Sequence, residues 1–175
     1  MKRLILWAPL AIFTLFVTIF AAGLVRPESQ TIRSQMIGKP LPSFSLAPGV
    51  QTLPGLGSAN FRDGKPKLLN IFASWCIPCA AETPQLIQLA QAGIPIEAVA
   101  IRDRPEDIAA FLKRYGNPYD RIGSDPTSKL QIALGSSGVP ETFVIDGKGI
   151  IRHQHIGDIR PEDVPGLLAA LADAQ

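Results

Sequence analysis

The longest apolar stretch comes first. From Leu4 to Val25 no residue carries a charge, Lys2 and Arg3 precede the run, and Arg26 and Pro27 close it. A helix over these 22 residues spans roughly 33 Å at about 1.5 Å per residue, enough for a hydrocarbon core of about 30 Å. The spacing therefore predicts one N-terminal transmembrane helix, with Pro9 tolerated near its start. Lys2, Arg3 and the terminal amine favour a cytoplasmic N-terminus and place everything after Val25 outside. A cleaved signal peptide is the competing reading, since Ala21-Ala22-Gly23 offers small residues for processing. The apolar run is longer than the usual core of such a peptide, which favours a retained signal-anchor. The expected organisation is an anchor over 1–25, a polar tether over 26–37 and one folded domain over 38–175.

Beyond the tether the hydrophobic pattern changes period. Lys67 to Phe72 and Ile96 to Ile101 are short and almost continuously apolar, as suits strands buried on both faces. Between them Pro78 to Gln91 reads as a helix with Leu86, Ile87 and Ala90 on one side, interrupted by Pro84 and stopped by Gly93 and Pro95. Strand, helix, strand in that order predicts a right-handed crossover in a parallel sheet. Pro105 to Tyr115 is a second helix with an acidic first turn, and Thr127 to Leu134 a shorter one. Phe143 to Ile145, the Asp146–Gly149 turn and Ile150 to Ile156 predict a hairpin whose polar last strand lies at a sheet edge. Pro161 to Ala174 closes the chain as a helix, and Leu41 to Leu53 is expected to add antiparallel structure upstream. The whole is an α/β domain.

Composition narrows the function. Sixteen Pro and fifteen Gly with no Gly-X-Y period indicate a turn-rich globular chain, and there is no internal repeat. With Lys2 and Arg3 set aside, the 17 basic side chains become 15 and match the 15 acidic ones. A nucleic-acid partner is not expected of so balanced a charge.

Two cysteines are present, three apart, as Cys76-Ile77-Pro78-Cys79. So short a loop closes too little chain to hold a domain together, which assigns the pair to reactivity or metal. Ala80 excludes a haem-attachment site, which would need His there. Placed after an apolar strand and opening a helix, Cys76 meets unpaired N–H groups and the positive dipole end, which favour its thiolate. Cys79 lies close enough to close a disulfide. Two cysteines are also half a Zn or Cu site, and His153 and His155 share one face of the last strand. Such residues are more often edge-strand surface.

Trp75-Cys76-Ile77-Pro78-Cys79, Pro84 and Val139-Pro140 before an apolar strand resemble the thioredoxin superfamily. More narrowly, Leu68 to Cys76, Gly116-Asn117-Pro118-Tyr119 and Pro140 to Gly147 resemble the membrane-anchored cytochrome c maturation thioredoxins of the DsbE/CcmG type. The resemblance implies a thioredoxin-like fold, a central mixed sheet flanked by helices with an enlarged central insertion. It implies a reductant in the bacterial periplasm, anchored by a single pass in the inner membrane, that opens disulfides of apocytochrome c or of a maturation partner. A membrane thiol-disulfide electron carrier would re-reduce it. Cys76 and Cys79 would be catalytic, and Trp75, Val139 and a cis Pro140 would hold the substrate. No metal and no cofactor are expected.

Asn70 stands where ordinary thioredoxin carries a buried acid, and it cannot accept the Cys79 proton. Glu82, one helical turn after Cys79, and Glu141, after the expected cis-proline, are the candidate acceptors. Each has a bland alternative, a solvated helix face or a strand-end surface charge. A general periplasmic disulfide oxidoreductase and a thioredoxin-fold copper metallochaperone are the alternative functions.

Overall fold

In the computed structural model residues 2–25 and 36–175 are described, and the chain divides into two units, Met1–Arg33 and Ser34–Gln175. In the first, helix α1 runs from Lys2 to Val25 with Pro9 inside it. The hydroxyls of Thr14 and Thr18 donate back to the carbonyls of Leu10 (2.6 Å) and Thr14 (2.9 Å). Among the described residues no helix is long and apolar enough to cross a membrane; the side chains described in α1 are Trp7, 9–18 and Phe20. The expected tether lies outside the described residues up to position 35.

In the second unit the two apolar runs form β3 (Lys67–Phe72) and β4 (Ile96–Ile101), buried at every position. They pair in parallel, Leu68 opposite Ile96, across the crossover helix α2 (Ile77–Gln91). Helix α3 (Pro105–Tyr115) starts on Pro105 with Glu106 and Asp107 in its first turn. It ends on Lys113, Arg114 and then Gly116, whose φ of 98° is one that residues with a side chain rarely adopt. Then come β5 (Arg121–Asp125), α4 (Lys129–Ala133), β6 (Glu141–Ile145), β7 (Ile151–Ile156) and α5 (Val164–Asp173). The sheet order is β5-β4-β3-β6-β7, with β6 antiparallel to β3 and β7 at the edge, as expected of its polar sequence.

The sequence pattern does not announce β5, since Arg-Ile-Gly-Ser-Asp holds one large apolar residue. Non-local partners make it a strand. It pairs in parallel with β4, and on its other side Gly49 N–H donates to the Ile122 carbonyl, with further bonds to Pro54 and Ala47. Gly123 is where Leu46 and Leu56 press closest, leaving no room for a Cβ. The antiparallel structure expected over Leu41 to Leu53 is smaller and reaches further: β1 (Ser45–Leu46) pairs with β2 (Leu56–Gly57).

Asn70 and Phe72 point to one face of β3, where they meet the helices. Phe72 packs in tilted ring contacts against Phe111 of α3 at 5.8 Å and against Tyr119 at 5.0 Å between ring centres. Asn70 meets α2 through Glu82. The two cysteines thus lie where β3 runs into α2.

Candidate active site

The run Ala73-Ser74-Trp75 turns the chain from β3 into α2, and Cys76 is the N-cap of that helix, in extended conformation. Its Sγ accepts the Cys79 N–H at 3.2 Å, so an orphan donor of the first turn aims at the first sulfur. The two sulfurs form a disulfide, with Cα atoms 5.3 Å apart. Pro78 occupies the first turn, where its missing N–H costs nothing. Helix α2 continues through Pro84 to Gln91 and is not interrupted there. Pro84 gives up one hydrogen bond, and burial of Thr83, Leu86 and Leu89 around it holds the helix together.

The buried side of α2 carries Cys79, Glu82, Thr83, Leu86 and Leu89. Glu82 is therefore neither on a solvated face nor exposed: its accessibility is 0%. Its Oε1 accepts from Asn70 Nδ2 at 2.9 Å and its Oε2 from the Ile159 N–H at 3.0 Å. Loss of water pushes the carboxyl up to about 7, against the two hydrogen bonds, which favour the ion; the Asp158 charge pushes the same way as burial. A group that titrates near neutrality one turn from Cys79 suits proton exchange with a thiol. Asn70 also donates to Thr142 Oγ1 at 3.0 Å, and its own oxygen accepts from the Tyr119 hydroxyl at 2.9 Å. Burial, reinforced by the Glu82 charge, raises the Tyr119 hydroxyl well above the ordinary phenol range, so it stays a donor.

Val139–Pro140 is a cis peptide bond. Glu141 follows it but is no strand-end surface charge, being 1% exposed. Its Oε1 accepts from the N–H of Ser137 (2.7 Å), the Ser137 hydroxyl (2.9 Å) and the N–H of Gly138 (3.2 Å), and its Oε2 from Gln154 Nε2 (2.6 Å). Side chains alternate along a strand, so with Thr142 turned toward Asn70, Glu141 projects from the opposite face of the sheet. The structure separates the two candidate carboxylates: Glu82 lies with the helix that carries the cysteines, and Glu141 fastens the 137–138 turn that leads into Val139 and Pro140.

On the other flank sits a residue that the sequence pattern does not single out. Asp103 follows β4, and its carboxylate accepts from the Ser74 N–H, the Ser74 hydroxyl (2.7 Å) and the Arg104 N–H (3.0 Å). Arg102, with φ 47°, turns its carbonyl toward the Trp75 indole N–H at 3.4 Å. Trp75 remains 57% exposed, beside a cleft of about 440 Å³ lined by Ser74, Trp75, Asp107, Phe111, Arg114 and Tyr115. Asp103→Ala is expected to free the Ser74-Trp75 turn and cost about 1.5 to 3 kcal/mol, the scale of hydrogen bonds to a charged group. Urea midpoints together with Trp75 fluorescence would check it, and an unchanged midpoint would refute it. No local motif announces this contact, because Ser74 and Asp103 come from opposite ends of a crossover.

His155 sits opposite Thr142 on β7, its Nε2 3.3 Å from the Asp158 carbonyl and 3.8 Å from Asp163. Among the described residues no group of three Cys, His, Asp or Glu side chains could hold a metal ion.

A mixed sheet with a Cys-x-x-Cys disulfide at the N-terminus of the first crossover helix, beside a buried carboxyl, defines a thioredoxin-like protein-disulfide oxidoreductase. The chain belongs to the redoxin family, whose model matches residues 36–171. It is 37% identical to the thiol:disulfide interchange protein HelX of Rhodobacter capsulatus, over 99% of this chain and 100% of that one. To the thiol:disulfide interchange protein DsbE of Escherichia coli it is 38% identical, over 92% of this chain and 89% of that one. Among solved structures, a DsbE-type thiol:disulfide interchange protein from Chlorobium tepidum superposes with a TM-score of 0.63 at 26% identity, over 79% of this chain and 96% of that one.

Proposed function

We propose that this chain is a membrane-anchored, periplasmic reductant of cytochrome c maturation, acting on disulfides of apocytochrome c or of a maturation partner. The observation that carries the reductant reading is the buried Glu82 carboxylate one turn from Cys79. In the reduced protein the Cys76 thiolate attacks a substrate disulfide, one substrate sulfur leaves as thiolate, and a mixed disulfide remains. Cys79 then gives its proton to Glu82, attacks the Cys76 sulfur and releases the second substrate thiolate. The substrate has gained two electrons and, from water and Glu82, two protons; the protein holds its own disulfide. A membrane thiol-disulfide electron carrier would return the two electrons. Negative charge beside the dithiol opposes a very stable Cys76 thiolate, and a very stable thiolate is what makes a strong oxidant.

Trp75, Val139 and Pro140 are assigned to substrate binding. Trp75 is exposed beside the Cys76 turn, and Glu141 holds the loop that presents the cis bond. The anchor is supported by the charge-free Leu4 to Val25 run, by its helical conformation and by the internally bonded Thr14 and Thr18 hydroxyls. Its N-terminal charges favour the orientation that puts residues 38–175 in the periplasm.

The reading is tested with the reduced protein and two peptide disulfides of equal length, one Cys-x-x-Cys-His and one lacking the His. Faster exchange with the first, together with recovery of the full-length protein in the membrane pellet after alkaline carbonate extraction, is the expected result. Equal rates would return the chain to general disulfide exchange. Retention of stoichiometric Cu(I) through gel filtration without peptide reduction would make it a copper chaperone.

A further inference from the structure

Asn70 looks like a loss, because an amide cannot take the Cys79 proton. Its three hydrogen bonds give it another task. It sits at the centre of β3, fully buried, and touches three other parts of the fold: Glu82 on α2, Thr142 on β6 and Tyr119 ahead of β5. An ionised carboxylate can only accept, so Glu82 needs the amide nitrogen on its side. The second amide hydrogen goes to Thr142, and the oxygen is left facing Tyr119. A flipped amide would set its oxygen against the carboxylate and its nitrogen against a hydroxyl. The Tyr119 hydroxyl, buried and held protonated, donates to that oxygen and favours the first arrangement. Tyr119 is itself fixed by Asn117, which accepts from its N–H at 3.0 Å and donates to its carbonyl at 3.3 Å.

We propose that Asn70 and Tyr119 are positioning residues for the thiol chemistry: the Tyr119 hydroxyl locks the Asn70 amide with its nitrogen toward Glu82, which keeps that carboxylate ready to take the Cys79 proton. This rests on the reading of Glu82 as the proton partner of Cys79. The hydrogen bonds of their side chains run to one another, to Glu82 and to Thr142, not to a sulfur. The other groups that act on Glu82 are the Ile159 N–H and the Asp158 charge, both from the segment after β7, while Cys79 and Thr83 share the buried side of its own helix. None of these depends on the amide, so the amide is the element that a single hydroxyl can set.

The lock predicts an effect of Tyr119→Phe although Tyr119 does not contact Glu82. With the hydroxyl gone, the amide orientation that favours the carboxylate loses its support and the protonated acid gains. The inflection near neutrality in the rate of mixed-disulfide resolution should move up by about one unit, about a tenfold change in the ratio of carboxylate to acid at a given pH. The experiment is resolution of a preformed Cys76–peptide mixed disulfide between pH 5 and 9 in the full chain, for wild type, Tyr119→Phe, Glu82→Gln and the double variant. Urea midpoints of the oxidised proteins run alongside. The proposal expects Tyr119→Phe to move the inflection in the wild-type background and to leave the rate profile unchanged in the Glu82→Gln background. If Glu82→Gln itself leaves the inflection in place, the proton-partner reading fails. If Glu82→Gln abolishes it but Tyr119→Phe does not move it, the lock fails alone. An equal rate loss from Tyr119→Phe in both backgrounds assigns Tyr119 to packing and also overturns the lock. Asn70→Ser, which keeps a small donor but no planar amide, is the second variant, expected to shift the inflection in the same direction.

Discussion

Replacing Cys76 by Ser is expected to reduce disulfide exchange to the uncatalysed background, a loss of several orders of magnitude, while Cys79→Ser leaves the first step intact and stalls the second. Cys76 is the helix N-cap and accepts the Cys79 N–H from the first turn of α2, whereas Cys79 lies inside the helix, 2% exposed and on the buried stripe with Glu82. A nucleophile benefits from the first setting, and the proposed resolving thiol from the second, one helical turn from the Glu82 carboxyl. In cells the Cys79→Ser protein should therefore gather covalent complexes that run as larger bands and vanish with reductant, and these should name the substrate. Complexes from Cys76→Ser and none from Cys79→Ser would reverse the two roles.

Glu82→Gln is expected to flatten the dependence of stability on pH. The carboxyl titrates near 4.5 in an unfolded chain and at about 7 in the fold. Below the lower value both states hold the proton. Between the two the folded state holds it and the unfolded chain does not, so stability falls as pH rises, and above the upper value the loss is complete. At about 1.4 kcal/mol per pH unit the loss comes to about 3 kcal/mol. The amide of the Glu82→Gln variant carries no such proton, although one of the two donors facing it loses its acceptor at every pH, at about 1 to 3 kcal/mol. The measurement is the urea midpoint of the oxidised protein from pH 4.5 to 8. Wild type should lose ground to the variant steadily across that range, and parallel curves would show that Glu82 does not titrate there. The natural protein thus carries at neutral pH a carboxylate that weakens its fold.

Where local chemistry sets an element, the sequence shows it. The β3 and β4 runs are buried along their length, and α3 has its limits written into Pro105 and Gly116. The start of α5 is less legible: Pro161 suggests a first turn, but the chain stays in turns until Val164, because the Asp163 carboxylate accepts the Arg160 N–H and closes a local turn first. Strand β5 is invisible for a different reason, since its partners β4 and the 47–54 segment are distant in sequence. The site divides the same way. The cysteines, Trp75 and the proline pair follow from motif and position. The burial of Glu82 was accessible in principle, because Cys79, Glu82, Leu86 and Leu89 fall at helical spacing in one stripe. Its partners Asn70 and Ile159, like the Asp103 hold on Ser74, arise only when the crossovers have closed.

The bond from the Ile159 N–H to Glu82 reaches across 77 positions of sequence. A version of the domain cut after β7 would keep the whole five-stranded sheet, the cis-proline loop and both sulfurs, and would look complete by any inventory of motifs. It would nonetheless hold its central carboxylate by one donor instead of two. The segment between β7 and α5 is therefore a second hold on Glu82 rather than a tail, and anyone shortening or grafting this scaffold inherits the 19 residues after β7 along with the Cys-x-x-Cys turn.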